Sequence, residues 1–580
     1  MRVRFAVGID LTEDGQAALR YQAGEDGDTI YLDGPGLFVA APPYVRTVRL
    51  GKIGIVLGAL FSRNGDRPVT ALAPETIEEI VRNSGRCLIE RYWGDYVAVF
   101  RLARDVAVLR SPFGHLACLY RGWAGGTVAA SDIDRLERAT KIPNTVAFDE
   151  VARQLIVGDM RSSKTSLTDV YEVRGGEVAC LSRKIRTHVA LWSPWSIACD
   201  AGTSHHTDAE GSRFRDIAVA CVAAKTHGIA KPLVLLSGGL DSSIVTACLA
   251  NRGRDFACLN LIAPASAGDE RMYARAVAEH IGRKLFERPM PEKALEFGAL
   301  AAVRLPRPVA RSFEQRLYLD AQAIANELGC DGVIDGGGGD NVFCSLQSAS
   351  PAADCLLDPT GRRAFWHTCH ELAALTHASV WQIAWKALRR AATRARPYRW
   401  AMNERMLSAD AVALPHDPPL HPWLTMGTPG MPGRAAQIAM LVAAQSFVED
   451  GPHGAKTQVV SPLVSQPLIE HCLSIPSWQW FDQGCNRAVA RHAFAPWLPR
   501  HVVWRRGKGI PDSFIVQLFE TNRASIREHL IDGWLARAGV IDVPSVLTAL
   551  DDPNPFGSKD FSRIVRLMDT EVWVRGIMGR

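Results

Sequence analysis

The stretch KPLVLLSGGLDSSIVTACLA, residues 231–250, decides the predicted fold of the C-terminal part of the chain. An apolar run ends in a Ser-Gly-Gly turn, and Asp241 with two serines opens a predicted helix. Glycines let the main chain approach a ligand, and the N-terminus of a helix favours an anion. Ser237, Ser242 and Ser243 add hydroxyl donors, and Asp241 adds an oxygen ligand suited to Mg²⁺. The stretch therefore predicts a phosphate cradle, although it lacks the Walker pattern G-x-x-x-x-G-K-[ST].

A second glycine-rich turn, in the string GVIDGGGGDNVF, follows another apolar stretch. Glycines 336 to 339 would let the main chain lie against a nucleotide. Asp340 would supply a second carboxylate, so that Asp241 and Asp340 could share Mg²⁺ and neutralise a departing pyrophosphate. A four-glycine run alone equally fits a flexible turn. Its position after a strand of the same domain favours the binding role.

A lysine between glycines, Lys508 in the string WRRGKG, is a third candidate. An ammonium group there could stabilise charge on the α-phosphate of ATP or on a tetrahedral intermediate. Most lysines are simply solvated, so chemistry alone does not decide its role. We expect the adenine near the ends of the first two strands of this part, around Leu236 and around Leu261 or Ile262, contacted mainly by the main chain.

The pattern of apolar and turn residues changes near residue 200. Before it, short runs of Val, Ile, Phe and Tyr alternate with turn residues, which predicts many strands, often antiparallel. After it, helical segments alternate with short apolar strands, which predicts a parallel sheet covered by helices, and the chain is mostly helical from about residue 345 onward. We therefore predict two domains, 1–200 and 201–580, of mixed α/β and α+β class.

Composition excludes several classes of protein. The 580 residues are 47% hydrophobic and 22% charged, which is typical of a folded globular protein. No apolar run approaches the ~20 residues that span a bilayer, and the first residues, MRVRFAVGIDLTEDGQ, argue against a secretion signal. The net charge of +5 is mild and by itself neither shows nor excludes a nucleic-acid surface. The 13 cysteines contain no Cys-x-x-Cys pair, so we expect a reduced cytoplasmic protein without a zinc site.

The three motifs, in this order, resemble the asparagine synthetase superfamily, which joins an Ntn-hydrolase-type (glutaminase-like) β-rich sandwich to an ATP-pyrophosphatase domain. The resemblance extends through the strings ERYWGDYVAVFRLARDVAVLRSPFGHLACLYR, SPLVSQPLIEHCLSIPS and NRAVARHAFAPWLPRHVVWRRGKG. It implies ATP and Mg²⁺ as cofactors, Asp241 and Asp340 as metal ligands, and catalytic roles for both aspartates and Lys508. The residues implied to bind ATP or pyrophosphate are Leu236, Ser237, Gly238, Gly239, Asp241, Ser242, Ser243, Leu261, Asp335, Gly336, Gly337 and Lys508.

Three departures narrow the resemblance. Glutamine-dependent members need Cys after the initiator Met, whereas this sequence has Arg2 there and no cysteine before Cys87, so we expect no glutamine hydrolysis by that route. Asparagine synthetases carry Glu where this chain has Gly337, and the Tyr of β-lactam synthetases has no counterpart in the turn. The strings GGGGDNVF and PLVSQPL are most similar to those of lasso-peptide macrolactam synthetases.

That subtype joins the N-terminal amine of a processed precursor peptide to an Asp or Glu side chain through an acyl-adenylate. It implies a leader-binding protein and a leader peptidase as partners, no nucleic acid, and a first domain kept as a scaffold. An ammonia-dependent asparagine synthetase, a β-lactam-type synthetase, a tRNA-modifying enzyme and a non-catalytic scaffold remain as alternatives. The ring size, the proton acceptor for the amine and the role of the basic segment 386–399 stay open.

Overall fold

The computed structural model describes fourteen stretches of the chain, and all structural statements below concern them. They are residues 3–63, 65–103, 105–182, 186–198, 208–262, 270–289, 305–309, 312–393, 398–414, 421–425, 430–445, 457–506, 512–552 and 560–579.

The first part of the chain, up to residue 198, contains twelve strands and six helices in these stretches. The strands are β1 Ala6–Ile9, β2 Thr29–Gly34, β3 Leu37–Ala41, β4 Thr47–Leu50, β5 Gly54–Ser62, β6 Tyr92–Arg101, β7 Val106–Arg110, β8 Leu119–Trp123, β9 Gly126–Ala130, β10 Tyr171–Glu172, β11 Glu177–Leu181 and β12 Arg186–Ala190. The helices are α1 Glu13–Glu25, α2 Pro74–Arg82, α3 Arg86–Glu90, α4 Ile133–Thr140, α5 Phe148–Val157 and α6 Pro194–Ala198.

These strands form two six-stranded antiparallel sheets that share one core. Their orders are β10-β8-β9-β1-β3-β2 and β12-β11-β7-β6-β5-β4. Alternation along β6 decides which side chains enter that core: Val97 and Val99 face the other sheet, whereas Tyr96 and Phe100 face outward onto the second layer of hydrophobic packing. The predicted β-rich sandwich with antiparallel strands is therefore present.

The second part contains seven strands and eighteen helices in its described stretches. The strands are β13 Pro232–Leu235, β14 Ala257–Ile262, β15 Leu285–Pro289, β16 Gly332–Ile334, β17 Gln458–Val460, β18 Phe481–Asp482 and β19 Cys485–Asn486. The helices are α7 Asp208–Lys225, α8 Leu240–Asn251, α9 Arg271–Ile281, α10 Ser312–Glu327, α11 Gly339–Val342, α12 Ser350–Leu357, α13 Phe365–Thr376, α14 Val380–Ala392, α15 Ala409–Ala413, α16 Pro422–Thr425, α17 Pro432–Ala444, α18 Gln466–Ser474, α19 Ala488–Phe494, α20 Arg500–Val503, α21 Asp512–Ile531, α22 Trp534–Arg537, α23 Val543–Asp551 and α24 Asp560–Met578.

A five-stranded parallel sheet forms the centre of this part, in the order β15-β14-β13-β16-β17. The chain runs outward from β13 in one direction through β14 and β15, and β16 and β17 then lie on the other side of β13. Ligands of open α/β sheets bind at such a switch of direction, beyond the carboxyl ends of the strands. Both glycine-rich turns follow strands that meet there, since β13 pairs directly with β16.

The two parts are joined by buried charges as well as apolar packing. Glu172 on β10 is 2% exposed and lies among three arginines, of which Arg110 and Arg161 belong to the first part and Arg307 to the second. The Arg307–Glu172 contact is 2.6 Å. The predicted boundary at residue 200 lies in 199–207, outside the described residues. In the portion that the structure describes, no helix is both long and apolar enough to cross a bilayer.

Candidate active site

The first glycine-rich turn lies directly against helix α9. Gly238 has φ +76°, and a Cβ added to it would lie 2.5 Å from the Cβ of Tyr273 and 2.6 Å from the amide nitrogen of Ala274. Both the left-handed backbone and the close approach require glycine at this position. Gly239 then precedes the first residue of α8, so the turn delivers the chain to the helix N-terminus as the sequence predicts.

The three serines of this turn are not equivalent. Ser243 has no exposed surface, and its hydroxyl donates to the carbonyl of Gly239 at 2.7 Å. The Ser242 hydroxyl contacts the same carbonyl at 3.2 Å and lies 3.2 Å from the hydroxyl of Ser237. Ser237 is the partly exposed member of the set and accepts from the Gly239 amide at 3.3 Å. Ser243 therefore holds the helix start, and Ser237 is the serine best placed to meet an anion.

The second glycine-rich turn packs onto the first. A Cβ at Gly336 would lie 2.6 Å from the amide nitrogen of Ser242, and one at Gly339 would lie 2.6 Å from the carboxyl carbon of Asp241. Glycines at these two positions let the turns touch, and the contact brings Asp340 beside Asp241. The two predicted turns thus form one site.

Asp335 anchors the second turn. Its buried carboxylate accepts from the amide of Gly337 at 2.9 Å, from the hydroxyl of Ser461 at 2.6 Å and from the phenol of Tyr318 on α10. Ser461 is the first residue of the SPLVSQPL string, so this string supports the turn directly. The geometry assigns the Asp335 side chain to fixing the main chain, and its predicted nucleotide contact stays a prediction.

Arg487 bridges the two predicted metal ligands. One guanidinium nitrogen lies 3.0 and 3.1 Å from the carboxylate oxygens of Asp241 and 2.5 Å from an oxygen of Asp340. Burial lowers the pKa of Arg487, but the two carboxylates outweigh burial and raise that pKa above its usual value. Asp241 is largely buried and Asp340 partly exposed. Two carboxylates that already converge on one positive charge fit a divalent cation, and Asp241 and Asp340 are the residues that would hold Mg²⁺.

Sequence reasoning missed Arg487. It lies within a string that resembles the family, but it immediately follows β19 and comes 246 positions after Asp241 in the chain. Its left-handed backbone, φ +60°, turns it out of the β18–β19 hairpin toward the site. No pattern in the sequence marks an arginine that will lie beside two distant aspartates. The order of the strands and the geometry of the β18–β19 hairpin bring Arg487 there.

The segment leading to Lys508 is held beside the first turn. Arg505 forms an ion pair with Glu270 at 2.9 Å, and its guanidinium lies 4.0 Å from the ring centre of Tyr273, the residue that packs on Gly238. Arg491 donates to the carbonyls of Val503 and, at 3.3 Å, of Arg505. Lys508 itself lies outside the described residues.

The predicted adenine contacts stay predictions. Leu236 is buried, its amide donates to the carbonyl of Leu259 at 2.9 Å, and its carbonyl accepts from the side chain of Asn260 at 2.8 Å. Leu261 is partly buried near the carboxyl end of β14. Both residues lie at the edge of the sheet where the two turns meet, and the main chain of Leu236 is already engaged within the protein.

Comparisons with known proteins identify the second part of the chain. A model of the asparagine synthase family matches residues 213–575. A solved structure of the allosteric regulatory enzyme of purine biosynthesis is 8% identical, with a TM-score of 0.22 over 50% of this chain and 82% of that one. Glutamine phosphoribosylpyrophosphate amidotransferase from B. subtilis, complexed with ADP and GMP, is 9% identical, with a TM-score of 0.22 over 58% of this chain and 90% of that one. Likenesses this low carry no argument about the fold. No curated protein matches the chain.

The family match covers more than half of the chain and contains the whole candidate site. Both glycine-rich turns, Asp241, Asp340 and Arg487 lie within the matched residues. The convergent carboxylates and the turn at a helix N-terminus suit a triphosphate substrate. The chain therefore belongs to the asparagine synthase family and is an ATP-dependent, amide-forming ligase.

Proposed function

We propose that this ligase closes a macrolactam ring in a lasso-type precursor peptide. It would adenylate an Asp or Glu side chain of the peptide and join it to the N-terminal amine, releasing AMP and pyrophosphate. The observation that carries the proposal is the second turn, where Gly337 stands in place of the acid of asparagine synthetases. Because residues 336–339 are all glycine, this stretch itself contributes no acidic or phenolic side chain before Asp340, which favours a peptide acceptor over the small acceptors of those relatives.

The proposed reaction uses the described residues in two steps. In the first, a carboxylate oxygen of the peptide attacks the α-phosphorus of ATP, and the bond to the bridging oxygen of pyrophosphate breaks. Mg²⁺ held by Asp241 and Asp340 would neutralise charge on the phosphates. Ser237 and the amides at the start of α8 receive the departing pyrophosphate, because donors and the helix N-terminus converge there.

In the second step the peptide amine attacks the carbonyl carbon of the acyl-adenylate. The nitrogen loses a proton to a general base, the amide bond forms, and the bond to AMP breaks. By resemblance, Lys508 would stabilise the negative charge that develops on the tetrahedral intermediate and on the departing AMP. Two described contacts, Arg505 with Glu270 and Arg491 with the carbonyl of Arg505, fix the chain a few residues before Lys508.

A peptide experiment tests this proposal. The purified protein is incubated with ATP, Mg²⁺ and a synthetic linear core peptide read from a neighbouring short open reading frame, and the product is followed by mass spectrometry. We expect a product that has lost one water and is linked through the N-terminal amine. The matched control is the same peptide with an acetylated amine, which should support ATP–pyrophosphate exchange but yield no ring.

Two other outcomes would contradict the proposal. If aspartate and ammonia yield asparagine while the peptide is inert, the chain is an asparagine synthetase. If a small β-amino acid is cyclised instead, it is a β-lactam-type synthetase. The proposed leader-binding protein and leader peptidase are tested separately, by asking whether genes for both lie beside the gene of this chain.

Substitution of Lys508 tests whether this lysine takes part in catalysis. We expect Lys508→Ala to lower both ATP–pyrophosphate exchange and product formation by about 10²-fold or more, because it removes the positive charge that the family resemblance assigns to the reacting phosphate. Exchange is measured with labelled pyrophosphate, and the product by mass spectrometry. The control is Lys284→Ala, a lysine directly before β15 and therefore at the edge of the parallel sheet opposite the turns. Wild-type rates in Lys508→Ala would remove this residue from the mechanism.

Substitution of Arg487 tests the residue that sequence reasoning missed. Arg487→Met keeps much of the side-chain volume but leaves two adjacent carboxylates without the guanidinium between them. We expect ATP–pyrophosphate exchange to fall about tenfold to a hundredfold, with partial recovery in Arg487→Lys, since an ammonium restores the charge but not the planar shape of the guanidinium. The exposed Arg500→Met serves as the control. Equal exchange rates in Arg487→Met and wild type would show that the bridge is dispensable.

A further inference from the structure

Three side chains of metal-ligating types lie together outside the nucleotide site, and a fourth residue contacts one of them. His367 and Glu371 are four residues apart on α13, so they share one face of that helix. Asp482 on β18 faces them, and the ligand atoms of these three residues all lie within 4.8 Å of one another. His492 on α19 contacts the Asp482 carboxylate, Nε2 to Oδ2, at 2.7 Å. Three separate elements thus contribute to one cluster.

The imidazole of His367 faces two carboxylates without bonding to them. Across the described stretches, His367 forms no hydrogen bond or ion pair, although its ring nitrogen lies within 4.8 Å of an oxygen of both acids. Direct hydrogen bonds would need shorter separations. Ligand atoms that surround one zinc ion at metal–ligand distances of about 2.0–2.2 Å lie roughly 3–4 Å apart, so a small movement of these side chains brings all three onto one ion.

The carboxylates are held by other contacts that orient them. The amide of Gly484 donates to Glu371 Oε2 at 2.5 Å, and the amide of Gln483 donates to Asp482 Oδ1 at 2.9 Å. His492 holds the second oxygen of Asp482. Metal-binding carboxylates are characteristically fixed by hydrogen bonds of this kind.

We propose that His367, Glu371 and Asp482 bind a divalent transition-metal ion of the Zn²⁺ class, with His492 positioning Asp482. An imidazole nitrogen with two carboxylate oxygens suits zinc and its neighbours, whereas Mg²⁺ and Ca²⁺ prefer sites built from oxygen alone. The sequence expectation of no zinc site was based on cysteine spacing. This ligand set uses no cysteine and is assembled only by the fold.

An ion at this position would clamp the hairpin that leads into the active site. The β18–β19 hairpin ends at Asn486, directly before Arg487, and the carbonyl of Gln483 at its turn accepts from Arg506 at 3.1 Å. Arg506 in turn begins the segment toward Lys508. Binding would therefore tie α13 to the two stretches that flank the reaction centre. The ion is structural in this proposal and takes no part in the chemistry.

Zinc alone is the probe, and neither ATP nor peptide is needed. Protein stripped with a chelator is titrated with Zn²⁺ in competition with a chromophoric chelator, in excess Mg²⁺ so that the nucleotide-site carboxylates are occupied. We expect one competing site in the wild type and at least tenfold weaker binding in His367→Ala and in Asp482→Asn. His370→Ala, which removes another exposed histidine of the same helix, should bind as the wild type does.

Two further measurements exclude binding at the nucleotide site and loss of folding as explanations of the zinc titration. Asp340→Asn should retain the zinc site, because it alters only the nucleotide site, and circular dichroism checks that each variant is folded. If His367→Ala binds zinc as tightly as the wild type, or if His370→Ala and Asp340→Asn lose as much as His367→Ala, the proposed site is wrong. Because no substrate is used, failure here is independent of whether the chain closes macrolactams.

Discussion

Asp241→Asn will abolish ATP–pyrophosphate exchange, with a loss of about 10³-fold or more, the scale on which single charge-stabilising groups act in enzymes. Both oxygens of Asp241 lie within 3.1 Å of Arg487, and its carboxyl carbon lies against the position of Gly339, so the side chain is at the junction of both turns. Asn has nearly the same shape but no charge. The substitution therefore removes a metal ligand without opening a cavity.

The measurement is exchange of labelled pyrophosphate into ATP at saturating Mg²⁺, together with a thermal unfolding curve. Asp255→Asn is the matched control, because Asp255 lies in the same domain and its carboxylate is 95% exposed. We expect Asp255→Asn to be active and Asp241→Asn to be inactive but folded. A wild-type rate of ATP–pyrophosphate exchange in Asp241→Asn would contradict the assignment of this carboxylate to the nucleotide site.

The largest effect on stability is expected from Glu172→Gln. Glu172 is 2% exposed and contacts Arg110, Arg161 and Arg307, whose side chains are 3–6% exposed. Removal of one partner from a buried ion pair typically costs about 3–5 kcal/mol, because charges are left buried without compensation. We expect a loss of that size, seen as a lower urea midpoint. Glu90→Gln, which removes an exposed partner 4.0 Å from Arg86, should change the midpoint little.

Glu172 also predicts the direction of a pH effect. Burial raises the pKa of this carboxyl, but Arg307, Arg110 and Arg161 outweigh burial and hold the pKa well below its usual range. A pKa that is lower in the folded state stabilises the protein above the unfolded value of about 4.3, and this stabilisation is lost as the pH falls below it. Stability of the wild type should therefore decline below about pH 4 more steeply than that of Glu172→Gln. Parallel acid-unfolding curves would contradict this.

The fold class could be predicted because its signals are local. The apolar run before Ser237 and the helix after it form a strand, a turn and a helix in sequence, and the same holds around Gly336. The antiparallel first part was similarly predictable from short apolar runs and turn residues. What local patterns do not encode is sheet order, and the pairing of β13 with β16 is what brings Asp241 to Asp340.

The roles of individual residues were less predictable, because each depends on partners far along the chain. Asp335 was predicted among the nucleotide-binding residues, yet its carboxylate is engaged by Tyr318 and Ser461. Gln466, in a string noticed only for its resemblance, donates to the carbonyl of Ile89 in the other domain at 3.1 Å. Arg487 had no distinguishing pattern at all. Such contacts are decided by the packing of distant elements, which a single sequence does not display.

The junction between the two parts has a consequence for how such an enzyme can change over evolutionary time. Lys225 of the second part pairs with Asp95 of the first at 2.6 Å, and Glu470 pairs with Arg63 in the same way. Arg307 of the second part likewise pairs with Glu172 of the first, so at least three charged groups of the ligase domain have their counter-ions in the other domain. Deletion of the first domain would leave these charges without counter-ions. Truncation of the gene would therefore destabilise the ligase domain, whatever chemistry the first domain performs. A first domain that the ligase domain needs for its stability can lose its own catalytic activity and still be retained in evolution.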